Sequence, residues 1–196
     1  SYTEIIVRNN KMMIRNHYVT LKDAQIHLRC CGTNGPAIAL FHQTPLSSRM
    51  YERALPALGK HMRAFAFDTP GYGNSSPLPD TPTLDGYADR LSAAIDSLGI
   101  EKLALGGFAT GSAIALVLAQ KLGERVTHLV LSGTPVLQEH ELEQFSKELV
   151  SMEPDLDGSH VKALWQSRLD NYGLGGGLEQ IQMATESALA ATSHVK

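Results

Sequence analysis

Residues 102–120 constrain the fold more tightly than any other stretch of the 196-residue chain. Lys102-Leu103-Ala104-Leu105-Gly106 is a short apolar run of strand type. Gly107-Phe108-Ala109-Thr110-Gly111 then breaks it with two glycines, and residues 112–120 are helix-forming, with small side chains at their start. A strand that turns into a helix within five residues belongs to a βα unit, and the chain repeats the alternation. Tyr18-Val19-Thr20-Leu21 and residues 25–30 flank the turn Lys22-Asp23-Ala24 and read as an opening hairpin. Further strands are expected near 37–42, 63–68 and 127–132. Helices are expected near 47–58, 83–98 and 110–122, the second with Thr83 as N-cap and Asp85 in its first turn. Such alternation implies an α/β fold, a mostly parallel sheet flanked by helices. In sheets of this kind reactive groups collect at the carboxyl ends of the strands. His42, Asp68, Ala109 and Ser132 all fall there.

The pentapeptide 107–111 has the glycine spacing of a Gly-x-Ser-x-Gly nucleophile elbow. That elbow holds one side chain on a strained strand-to-helix turn, with flanking glycines that let neighbouring backbone approach. Ala109 occupies the serine's place, and a methyl group cannot attack a carbonyl. Glycines at this spacing equally describe a helix packed closely on a strand, so other segments must decide. One is Ala37-Ile38-Ala39-Leu40-Phe41-His42-Gln43-Thr44-Pro45, an apolar run ending in a polar turn before Ser47-Ser48-Arg49-Met50-Tyr51. Another is Arg63-Ala64-Phe65-Ala66-Phe67-Asp68-Thr69-Pro70-Gly71-Tyr72-Gly73-Asn74-Ser75, a strand broken by a Pro/Gly turn.

In order and spacing these three segments resemble the α/β-hydrolase superfamily, as its His-Gly-x-Pro oxyanion turn, its Asp-x-Pro-Gly-x-Gly-x-Ser turn and its elbow. The resemblance implies that Thr44 and Thr110 supply the backbone N–H groups of an oxyanion hole. The Thr110 side chain is expected to point into its helix, and His42 to bond backbone and support the oxyanion turn. The His-Gln-Thr-Pro turn and Asp-Thr-Pro-Gly further resemble a subgroup whose elbow reads Gly-x-His-Thr-Gly. The shared Thr-Gly ending favours natural loss of the serine over a deliberate Ser→Ala replacement, and both origins stay open.

The resemblance sets three regions: an extension over 1–12, a hydrolase-like core over 13–135, and a helical cap-like region over 136–196. Within the last, helices are expected over 139–149, 159–169 and 178–191, with a glycine-rich joint at 171–177. That glycine run follows no strand and lacks the Gly-Lys-Ser/Thr ending of a phosphate loop. The order Ser, acid, His in this superfamily puts two triad members beyond the elbow. The expectation is a sheet truncated after about six strands, with the acid and histidine segment missing. His128 stands at the wrong end of its strand; His140, His160 and His194 read as solvated surface residues. Cys30 and Cys31 read as structural thiols, too close together for a disulfide framework or paired zinc ligands. No metal or cofactor is expected.

A net charge of −3 with no basic cluster gives no reason to expect nucleic acid, and no apolar stretch is long enough for a membrane span. The first residues lack a signal-peptide pattern, which points to the cytoplasm. Two functional readings remain. One is a family protein whose ancestral reaction hydrolyses a small ester or related carbon–heteroatom bond, inactive as this chain. The other is a non-catalytic module that binds a small apolar or ester-like ligand or a protein. A sheet that ends at the strand near 127–131 would expose an apolar edge, so a homo-oligomer through that edge or the cap helices is expected.

Overall fold

The computed structural model describes residues 12–136, 155–172 and 177–192. Six strands form one sheet: β1 Arg15–Thr20, β2 Gln25–Cys31, β3 Ala37–Phe41, β4 Arg63–Phe67, β5 Leu103–Phe108 and β6 Val126–Ser132, in the spatial order β1-β2-β4-β3-β5-β6. β1 pairs antiparallel with β2 and β2 with β4, whereas β3, β4, β5 and β6 run parallel. The α/β expectation therefore holds, opening hairpin included.

Strand alternation separates two cores. Ala37, Ala39 and Phe41 of β3 and Phe67 of β4 face one side. There α2 (Leu84–Ser97) and α3 (Thr110–Leu122) cover them through Ala88, Leu91, Ile95, Ile114 and Leu118. Leu40, Ala64 and Ala66 face the other side with Cys31, where Leu55 of the four-residue α1 (Leu55–Leu58) covers them. Thr83 caps α2 as expected, its hydroxyl accepting the Gly86 N–H at 3.0 Å.

The continuous helix expected over 47–58 is a correction. Ser48–Tyr51 is a single 3-10 turn, and α1 restarts only at Leu55. Ser48 N–H is taken by the Asp68 carboxylate at 2.6 Å, and Pro56 has no N–H to donate and fits only in a first turn. One end is thus pinned to the sheet and the other forces a new start.

Beyond the sheet lie α4 (Ser159–Tyr172) and α5 (Leu178–Thr192), which pack on each other. Leu164, Ile181, Ala184 and Ala188 are buried there. Arg49 reaches this pair, donating to Glu186 on α5 at 2.8 Å. His160 is half-buried rather than solvated, with Nδ1 accepting the Asp155 N–H at 3.0 Å. The expected helix over 139–149, with His140 and His194, lies outside the described residues, as do residues 1–11 and 173–176. β6 forms one edge of the sheet, with Leu129 and Val130 exposed.

Candidate active site

The candidate site is assembled at the carboxyl ends of β3, β4 and β5. Ala109 sits between β5 and α3 at φ 50° and ψ −119°, and it is the one non-glycine residue with positive φ among the described residues. An L side chain is strained in that region, and a turn of this kind persists only where its surroundings impose it. Here the surroundings can be named. A Cβ on Gly107 would run into the Gly111 carbonyl, and one on Gly111 into the Phe41 carbonyl at the end of β3. The two glycines let β3, β5 and α3 close on one another at the turn. The Ala109 N–H then bonds the Ser132 carbonyl at 2.9 Å, while the buried Ser112 hydroxyl donates to the Gly107 carbonyl at 2.7 Å. The glycine frame is thus that of an elbow, and the apex is a methyl.

The turn after β3 lies against the elbow. His42 is wholly buried: its Nδ1 donates to the Gln43 carbonyl at 2.9 Å, and its Nε2 accepts the Thr69 N–H at 3.0 Å. Burial pushes the imidazole below its usual pKa, outweighing the Gln43 bond and the Asp68 charge, so the ring is neutral with both nitrogens engaged. It links the turn after β3 to the turn after β4 and has no nitrogen left for proton transfer.

Thr44 and Thr110 also meet, in a way the sequence did not disclose. Thr44 donates its N–H to the Thr110 hydroxyl oxygen at 2.7 Å, and the two hydroxyl oxygens lie 3.1 Å apart. The Thr110 side chain therefore reaches across to the neighbouring turn, a correction to the expectation that it points into its own helix. The Thr110 N–H carries no bond among the described residues.

Asp68 follows the carboxyl end of β4, as expected, and meets a partner that the sequence does not disclose. His27 on β2 lies with Nδ1 2.7 Å from Asp68 Oδ2, both residues wholly buried. Asp68 also accepts the Ser48 and Asn74 N–H groups at 2.6 and 2.9 Å. Burial opposes its charge, yet the bonds from His27 and Ser48, with Asn74, hold its pKa down at about 2. The local pattern carries no signal for His27, which alternates with Gln25 and Arg29 on the polar side of β2, opposite Ile26 and Leu28, and is buried only by the fold. Ser132 contributes its carbonyl to the elbow, and His128 is exposed far from the apex on β6. Cys30 and Cys31 are unpaired, and no group of three metal-ligating side chains occurs among the described residues. No helix among them is long and apolar enough to cross a membrane.

A cavity of about 520 Å3 opens beside the elbow, between the turn after β3 and α5. Gln43, Leu46, Arg49, Phe108, Met183 and Ala184 are on its wall; Phe108, rather than Ala109, is the elbow residue that lines it.

A parallel sheet with a glycine-framed elbow and an adjoining polar turn defines the α/β-hydrolase architecture. Residues 36–170 match the family model for the alpha/beta hydrolase fold, and the chain belongs to that family. Among curated relatives, it is 29% identical over 133 residues to an uncharacterized hydrolase, YNR064C, of Saccharomyces cerevisiae, a match covering 66% of this chain and 46% of that one. It is 33% identical over 125 residues to the bifunctional esterase/perhydrolase DCH of Acinetobacter calcoaceticus, covering 61% and 45%. The chain thus spans less than half the length of these relatives. Among solved structures it superposes on a hydrolase from Pseudomonas aeruginosa with a TM-score of 0.74 at 19% identity, covering 92% of this chain and 69% of that one. The N-acyl homoserine lactonase AidH gives 0.73 at 20%, covering 92% and 67%.

Proposed function

We propose that this chain is an α/β-hydrolase scaffold that receives a small ester-like or acyl ligand in the cleft between the elbow and α5 and, as this polypeptide, does not turn it over. The observation that carries the reading is Ala109, a methyl held in the strained apex conformation. A frame built for a reagent is kept here without one. Removing a nucleophile from a triad leaves only the weak residual rate of binding and the oxyanion hole. The Thr44 and Thr110 N–H groups are the candidate hole, with His42 as the buried support of its turn. The ester-like ligand class draws on relatives such as the esterase/perhydrolase DCH and the homoserine lactonase AidH. The His-Gln-Thr-Pro turn and the Thr-Gly after the apex support a place beside relatives with a non-serine elbow.

Assay of purified protein against p-nitrophenyl esters of graded chain length, beside Ala109→Ser, tests this. We expect no turnover above buffer from either form, because His42 has no free nitrogen and no other histidine among the described residues lies at the apex. Turnover confined to Ala109→Ser would reveal a working base and sink the claim that more than the nucleophile is lacking. Turnover by the parent would sink the reading altogether.

The alternative, a binding or interaction module, gains support from the exposed Leu129 and Val130 on edge strand β6. We propose that this edge or the α4–α5 pair mediates self-association. Sedimentation at micromolar concentration should show a dimer or larger species, and a monomer would count against it.

A further inference from the structure

The Thr44 N–H, one of the two candidate oxyanion donors, is already occupied. Its acceptor is the Thr110 hydroxyl at 2.7 Å, supplied by a residue 66 positions away, and the Thr44 hydroxyl lies 3.1 Å from the same oxygen. The Thr110 side chain thus has two partner atoms on the neighbouring turn, and both threonines are half-buried, each next in sequence or one removed from a residue on the cavity wall, Gln43 before Thr44 and Phe108 before the apex. The Thr110 N–H has no acceptor among the described residues. One donor of the pair is therefore open and the other is satisfied from within, whereas a developing or resting oxyanion is held well only when both point at it.

We infer that the Thr110 hydroxyl is an internal stand-in for a ligand oxygen, a plug that must swing off the Thr44 N–H before that amide can bind anything else. This rests on the reading of Thr44 and Thr110 as an oxyanion site and narrows its ester-like or acyl ligands to acyl carboxylates. A neutral ester carbonyl competes with a neutral hydroxyl of similar acceptor strength, already in place. A carboxylate makes a charge-assisted bond roughly twice as strong, so it displaces the plug where the ester does not. The chain therefore selects small carboxylates over the corresponding esters, and Thr110 is the positioning residue that sets the preference.

Nitrogen-15 spectra of the parent, Thr110→Val and Thr110→Ser test the plug with and without ligand. Valine keeps the shape and removes the acceptor, while serine restores the hydroxyl. Without ligand, hydrogen exchange at the Thr44 amide should quicken about tenfold in Thr110→Val, the equivalent of one ordinary hydrogen bond, and return toward the parent rate in Thr110→Ser. Titration with sodium butanoate and methyl butanoate should shift the Thr44 amide of the parent with butanoate only. In Thr110→Val both should bind, butanoate at least about fivefold more tightly than in the parent, since no hydroxyl has to be displaced. An unchanged exchange rate would overturn the plug, and so would equal affinities in parent and Thr110→Val. Quickened exchange with no response to either probe in any variant would sink the oxyanion reading of the site itself, and the inference with it.

Discussion

Two turns at the carboxyl end of the same sheet are built on opposite terms. The turn after β4 is closed around a charge: Asp68 has both carboxylate oxygens taken by His27, Ser48 and Asn74. A Cβ on Gly73 would run into that carboxylate, so the glycine there is also obligatory. The elbow after β5 is closed around a methyl. Its glycines, the Ser112 and Ala109 bonds and the positive φ of Ala109 hold in place a side chain that bonds to nothing. One turn is stabilised by the group it encloses, and the other holds a strained backbone around a side chain that can make no bond. The frame of the elbow thus depends on glycines, packing and main-chain bonds rather than on the apex side chain.

The comparison can be broken hardest at the glycine of the elbow. Gly111→Ala drives a methyl into the Phe41 carbonyl, with the His42 carbonyl 2.8 Å away, and neither can retreat without moving β3. We expect loss of more than about 3 kcal/mol, or no folded protein, by denaturant unfolding. A loss under about 1 kcal/mol would mean that the close approach of β3 and α3 is not required.

Asp68→Asn comes next, at about 2–3 kcal/mol, because it removes the charge that answers two buried donors, His27 and the Ser48 N–H, and the part-buried Asn74 N–H. The pH dependence sharpens this. The folded pKa of about 2 lies below the ordinary aspartate value of 3.8, so the charge stabilises the fold above about pH 4 and that contribution fades as pH falls toward 2. The shift corresponds to about 2 kcal/mol. Unfolding curves at stepped pH should show the parent losing that much between pH 4 and 2, and Asp68→Asn should lack that part of the slope.

Sequence reading located both turns, because each depends on residues with strong local signatures: Pro70 and Gly71 after a strand of alternating alanine and phenylalanine, Gly107 and Gly111 between a strand and a helix. Thr83 announced its helix by the same kind of local chemistry. What stayed hidden was tertiary. Nothing near residue 27 indicates that it meets residue 68, and nothing near Thr110 indicates that its hydroxyl crosses to Thr44 instead of turning into its helix. The break after Tyr51 was hidden for the same reason, since the Ser48 N–H is drawn to a carboxylate twenty residues away.

The smallest expected effect decides the most, because its sign alone carries the answer. At an ordinary helical or extended position Ala→Gly costs about 0.5–1 kcal/mol through backbone entropy. At Ala109 the positive φ costs about 1–2 kcal/mol, which glycine would relieve. Measured against the parent by denaturant unfolding, Ala109→Gly should leave stability unchanged or raise it by up to about 1 kcal/mol. A loss of about 1 kcal/mol would mean that Ala109 sits in relaxed backbone, and the account of a strained elbow kept without its reagent would be contradicted.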